Sequence, residues 1–154
     1  MMRLALALAG VLAACSDDPP EPEPQVAAFP ADYAGSYSEV RDCRKSGDHD
    51  LSFVRVLADP AALAPYETRN EPFPDGAVLL KEEYDFSDSS CAGEIVRWTV
   101  MIKASAATDR LGWDWQSVDA RRNVVEENGE RCQSCHTACR GGSVVGYDYT
   151  CTEP

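Results

Sequence analysis

The run Cys132-Gln133-Ser134-Cys135-His136 sets two thiols and an imidazole side by side, in a chain of 154 residues with seven cysteines and two histidines. Whatever this segment holds, the fold must be arranged around it. Zinc, an iron–sulfur cluster, a disulfide and a covalently attached haem all draw on such residues. A zinc site built from Cys132, Cys135, His136 and Cys139 would need the adjacent Cys135 and His136 to aim at one tetrahedral ion, and neighbours point apart. A cluster would lack a fourth close cysteine and the usual proline. The spacing C-x-x-C-H fits c-type haem attachment. Residues three apart share one helical face, so both thiols reach one porphyrin, and the next histidine turns under the iron as proximal ligand. A Cys132–Cys135 disulfide beside an idle histidine is the bland alternative.

The start of the chain bears on the compartment. Met1-Met2-Arg3 is a positive start, and Leu4 to Leu12 is an apolar run too short to span a bilayer. It ends in Leu12-Ala13-Ala14-Cys15, which looks like a bacterial lipobox. The expectation is a signal peptide over 1–14, acylation of Cys15, and an anchor that attaches without spanning. Ser16 resembles the pattern sorted to the outer membrane, which places the protein on the periplasmic face of the cell envelope. Residues 15–30 are rich in Pro and acid and read as an extended tether. The remaining 31–154 suit one domain with one core. With 26 acidic against 14 basic residues, net −12, nucleic acid is excluded as a partner and the membrane is met only through the lipid. Such charge suits solubility or a basic redox partner protein.

With Cys15 given to lipid, and Cys132 and Cys135 to haem, four cysteines remain. An exported chain meets an oxidising environment, which favours disulfides. Cys139 and Cys151 flank "RGGSVVGYDYT", a Gly-Gly turn followed by a strand-like alternation, so a local bridge is expected there. Cys43 with Cys91 follows by elimination.

The body reads mostly as strands. "LSFVRVLADP" alternates and stops at Asp59-Pro60; "PAALAPYETRN" is a short helical turn; Pro74-Asp75-Gly76 turns into a strand from Ala77 to about Phe86. "EIVRWTVMIKAS" is another strand, "GWDWQSVD" sets Trp113 and Trp115 on one face, and Arg121 to Gly129 reads as a polar turn into the CxxCH helix. Four or five antiparallel strands with short helices give an α+β domain, mainly antiparallel β-sheet, with a haem-binding helix near its C-terminus.

A family resemblance follows from these motifs. "LADP" (Leu57 to Pro60), "FPDGAVLLKE" (Phe73 to Glu82), "GWDW" (Gly112 to Trp115) and "CQSCH" (Cys132 to His136) resemble the cytochrome P-460 family, which includes the cytochromes c′-beta. The similarity runs from about Tyr37 to Tyr149. It implies a mainly β fold, usually a homodimer, with one five-coordinate haem open on its distal side to small nitrogen ligands such as nitric oxide and hydroxylamine. It also implies a role for Lys81, which matches the lysine joined to the porphyrin edge in cytochromes P-460 and left unlinked in cytochromes c′-beta. Period two puts Ala77, Leu79, Lys81 and Glu83 on one strand face, where a lysine beside the macrocycle would lose solvation and gain nucleophilicity. The alternative is a strand-end lysine whose stem carries its amine to water.

The residues agree with an open site. A sixth ligand would normally be His or Met. Beyond the leader only His49 and Met101 are available; Met101 is expected in the core and His49, among solvated polar residues, in a loop or at a strand edge. Three functions therefore compete: oxidation of hydroxylamine, binding of nitric oxide or electron transfer without turnover, and a disulfide-stapled lipoprotein without cofactor. Hydroxylamine-oxidising relatives place a carboxylate over the haem on the strand after the lysine strand. Here Thr99 takes that place, with Glu94 preceding it, so slow or absent hydroxylamine oxidation is expected.

Overall fold

The computed structural model describes residues 25–140 and 146–151. Six strands form one antiparallel meander in sequence order, β1 (Ser38–Lys45), β2 (Phe53–Ala58), β3 (Val78–Tyr84), β4 (Ile95–Lys103), β5 (Trp113–Asp119) and β6 (Val124–Glu127). Helix α1 (Leu63–Thr68) lies between β2 and β3, and α2 (Glu130–His136) follows β6. The expected turn before β3 is present: Ala77 N–H donates to the Pro74 carbonyl, and Gly76 takes φ 84°, a conformation glycine adopts without steric cost. Cys43–Cys91 ties β1 to the β3–β4 connection, and Cys139–Cys151 closes the C-terminal turn, both as expected.

Alternation along the strands builds two apolar layers. On one face Leu57, Leu80, Trp98, Val100 and Val118 pack under Phe29 and Tyr33 of the N-terminal segment. This layer also buries Glu82, which accepts from the Tyr33 hydroxyl (2.6 Å), the Tyr84 hydroxyl (2.7 Å) and Arg55 (2.7 Å). Burial and the hydrogen bond to Glu82 push the Tyr33 phenol up to about 12. On the opposite face Val56, Leu79, Met101, Trp113 and Trp115 pack with α1 residue Tyr66 and with Phe73. Trp113 is fully buried there, and Met101 takes the core position expected of it.

Four expectations need correction. Val124–Glu127 is a strand paired with β5, not part of a polar turn. Its apolar content is one Val-Val pair, and as an edge strand it needs no alternation. Residues 26–29, expected in the tether, belong to the folded domain: Val26 bridges Asn123, and Phe29 is 4% exposed against Trp98. β3 stops at Tyr84, leaving Phe86 exposed beyond it. Finally, 146–151 is turn rather than strand, with Asp148, Tyr149 and Cys151 at positive φ; positions 141–145 of the expected alternation lie outside the described residues.

Candidate functional site

The second face of the sheet is only partly covered by α1 and α2, and between sheet and helices lies a cavity of about 530 Å³. Its floor follows from strand register. Val56 pairs with Lys81 and Lys81 with Thr99, while Leu79 and Met101 form the next row. Cys132, Cys135 and His136 of α2 also line it. The fold thus brings Lys81 and the C-x-x-C-H segment to one cavity, although 51 residues separate Lys81 from Cys132.

The imidazole of His136 stacks edge-on against Trp115, centroids 4.8 Å apart. Its Nδ1 lies 2.6 Å from the Tyr149 carbonyl, which can only accept, so Nδ1 carries the proton. In the neutral ring Nε2 is then the unprotonated nitrogen, the form that ligates a metal. Burial, followed by the Lys81 charge, holds this histidine down to about 4, against an ordinary 6.5. The carbonyl is presented by the segment that Cys139–Cys151 closes, where Tyr149 N–H donates to the Cys139 carbonyl. Gly146 permits this turn, since any side chain there would collide with the Cys139 backbone.

Cys132 and Cys135 are the unpaired cysteines among the described residues, and Cys139 is spent in its disulfide. The zinc set considered above therefore loses a ligand. The Cys132 thiol is pushed up by burial and by nearby Glu126. Arg41, Arg44 and Arg131 also line the cavity, cations suited to carboxylates such as the propionates of a porphyrin. Two thiols, an imidazole with Nε2 left unprotonated, an apolar floor and basic lining together fit a haem.

The sequence reading missed the partners of Lys81. His49 lies in the β1–β2 connection as expected, but it is not solvated: its side chain is 18% exposed and lines the cavity. Its Nε2 lies 2.7 Å from Lys81 Nζ and its Nδ1 2.9 Å from Glu83 Oε1. Glu83 is fully buried and also accepts from Arg97 (2.6 and 2.9 Å) and Thr99 (3.2 Å). Burial opposes its ionisation, but the His49 and Arg97 contacts outweigh that and hold the carboxyl below its usual range. Thr99 does stand on β4 opposite Lys81, and Glu94 is exposed before that strand. The carboxylate beside the lysine comes instead from β3, two residues on. The period-two face containing Lys81 and Glu83 was the available signal.

A β-meander whose C-x-x-C-H helix lines the same cavity as Lys81 gives a mainly β scaffold with room for a haem. The Cytochrome P460 family profile matches residues 30–147, and the chain belongs to that family. Its cofactor is accordingly haem. No match was found among curated proteins.

Proposed function

We propose that this chain is an exported c-type cytochrome whose haem, held through thioethers to Cys132 and Cys135 and through His136 to iron, binds small nitrogen species in the cavity above Lys81. The observation that carries this reading is the convergence of His136, both free thiols and Lys81 on one cavity. When bound, the haem would supply an iron centre able to take a small ligand and exchange electrons. The chain's own contribution is placement. Tyr149 orients His136, Trp115 buttresses its ring, and Val56, Leu79 and Met101 keep one side of the cavity dry. Lys81 supplies the amine for a link to the macrocycle edge. The test is the visible spectrum and pyridine haemochrome of protein matured with haem. A Soret band with thioether-type haemochrome is expected, and its absence overturns the assignment.

Oxidation of hydroxylamine is a second reading, favoured by one observation. His49, fixed by Glu83, supplies the proton acceptor that β4 lacks. Steady turnover with an electron acceptor, set against tight nitric oxide binding without turnover, separates the two. The lipid anchor at Cys15 and the outer-membrane location are part of the proposal; Cys15 lies outside the described residues. Cys15→Ser is expected to release the protein from the membrane fraction with an unchanged spectrum. A basic redox partner and a homodimer complete this reading, and chromatography coupled to light scattering tests the dimer.

A further inference from the structure

Three groups from two parts of the chain stand in a line at the cavity floor. Glu83 Oε1 accepts from His49 Nδ1 at 2.9 Å, and His49 Nε2 faces Lys81 Nζ at 2.7 Å. We propose that Lys81, His49 and Glu83 form a nucleophile–base–anchor triad that presents the Lys81 amine to an electrophile in the cavity, the edge of the haem macrocycle. The proposal rests on the haem reading above, and deepens it by assigning how the lysine is made reactive.

Donor and acceptor chemistry fixes the direction of the line. Glu83 is an anion held by both Arg97 nitrogens that reach it and by Thr99, so it accepts only. Nδ1 of His49 must therefore donate to it, which makes Nε2 of the neutral ring an acceptor. Lys81 then donates a proton to Nε2, and that bond is the route by which the ammonium loses it. This is the arrangement of an activated nucleophile: an attacking group within hydrogen-bond reach of a base, and the base oriented by a third side chain.

The surroundings hold the line in place. Asp50, next to His49, accepts from Arg97 (3.3 Å) and from Arg131 of α2 (2.8 Å), and the Asp48 carbonyl accepts from Arg131 (3.3 Å). The histidine loop is thereby fastened both to β4 and to the helix that carries the thiols. Lys81 itself is pulled down to about 8 by burial, with Glu83 acting against that shift and Arg44 reinforcing it. Asp48 and Cys132 also favour its charged form. The negative charges beside it oppose the effect of burial and favour the ammonium, and a proton acceptor at 2.7 Å supplies the route by which it is lost.

The link itself balances with a peroxide as oxidant. A C–N bond forms from Nζ to a ring-edge carbon, one N–H and one C–H bond break, and two electrons pass to the peroxide, which leaves as two waters. His49 takes the N–H proton and passes it on. Glu83 is a positioning residue, since it touches the base and not the reacting atoms.

Two measurements on the full-length chain test the triad. In haem-loaded protein, peptide mass spectrometry reports the fraction of thioether-bound haem that is also joined to Lys81. His49→Phe and His49→Gln are both expected to lower that fraction by about 10²-fold with thioethers intact, the loss of a general base. His49→Gln keeps hydrogen bonds to both neighbours but cannot take the proton, so a linked fraction equal to wild type in that variant overturns the proposal. Haem bound in wild type without any link also overturns it while leaving the haem assignment standing. The second measurement needs no haem. Acetic anhydride acetylates lysines by forming N–C(O) and releasing acetate, and the rates at Lys81, exposed Lys45 and paired Lys103 are read from their peptides. Lys81 is expected to react faster than Lys45, and to slow by about 10²-fold in His49→Gln with unchanged near-ultraviolet circular dichroism. Equal Lys81 rates in wild type and His49→Gln sink the triad whatever the haem content.

Discussion

His136 donates from Nδ1 to the Tyr149 carbonyl at 2.6 Å, and this one bond selects the nitrogen left for a metal. Tyr149 sits at φ 65°, a conformation that an isolated loop would abandon. It is retained because Cys139–Cys151 brackets the segment and Tyr149 N–H donates back to the Cys139 carbonyl. The disulfide therefore acts on the site through the backbone.

Removing that bridge tests the connection. Cys139→Ser with Cys151→Ser is expected to cost roughly 3 kcal/mol of unfolding free energy, as the residues joined are 12 apart. Urea unfolding measures it. Haem-loaded protein should also lose definition in its proximal iron–histidine vibration, because the carbonyl is no longer held. An unchanged vibration would mean that Tyr149 is positioned without the bridge.

Each thiol should answer separately for attachment. Cys132→Ala and Cys135→Ala are each expected to leave one thioether and a lowered yield of holoprotein, shown by a shifted pyridine haemochrome. His136→Ala should keep the thioethers and change the ligand-field bands of the visible spectrum. If all three retain the parent spectrum, the C-x-x-C-H segment does not hold the haem.

Much of this was legible in the chain, and the exceptions share a cause. The central strands were readable because Val54 and Val56, Leu79 and Lys81, and Trp113 and Trp115 each lie between two neighbouring strands and must alternate. The edges were not. β1 (Ser38–Lys45) is Ser-Glu-Val-Arg-Asp-Cys-Arg-Lys, and β6 carries Glu126 and Glu127. Charge on an outer strand blocks pairing with other chains and erases the pattern that would reveal it. The C-x-x-C-H helix and both disulfides could be placed because cysteine count and spacing restrict the choices. His49 could not be placed: 34 residues separate it from Glu83, and only the folded β1–β2 connection lays it over β3. In sequence it is surrounded by Ser46, Gly47, Asp48 and Asp50, which read as solvent.

Glu83 gives the fold an acid-sensitive point. Its carboxyl is depressed below the ordinary 4.5, burial being outweighed by His49 and Arg97. A depressed carboxyl contributes stability that is fully present above its unfolded value and is lost as pH falls through the folded one. Glu83→Gln is expected to destabilise the protein by roughly 1.5–3 kcal/mol at neutral pH, the worth of hydrogen bonds to a charged group. It should also flatten the decline in stability below about pH 4.5. Denaturant unfolding across pH 3 to 7 measures both effects, and parallel curves for the two proteins would show that another carboxyl governs acid unfolding.

Lys103 links the far end of β4 to the turn that serves His136. Its amine, 9% exposed, lies 2.7 Å from Asp148 Oδ2 and 4.8 Å from the centroid of the Trp113 ring, while Trp113 Nε1 donates to the Asp148 carbonyl at 3.0 Å. Asp148 is held at φ 46° and directly precedes Tyr149. One cation therefore anchors the residue next to the carbonyl that orients the imidazole. Lys103→Met keeps the apolar stem over Trp113 but leaves Asp148 without its partner, at an expected cost of roughly 1–3 kcal/mol. Asp148→Asn should cost less, since its amide oxygen can still accept from Lys103. A second readout separates local from global effects: long-range ¹H–¹⁵N spectra of the histidine side chains report which nitrogen of His136 carries the proton. Lys103→Met is expected to mix the two tautomers where wild type shows Nδ1–H alone. A variant destabilised by the expected amount yet retaining pure Nδ1–H would show that the Cys139–Cys151 bridge suffices to orient the ring.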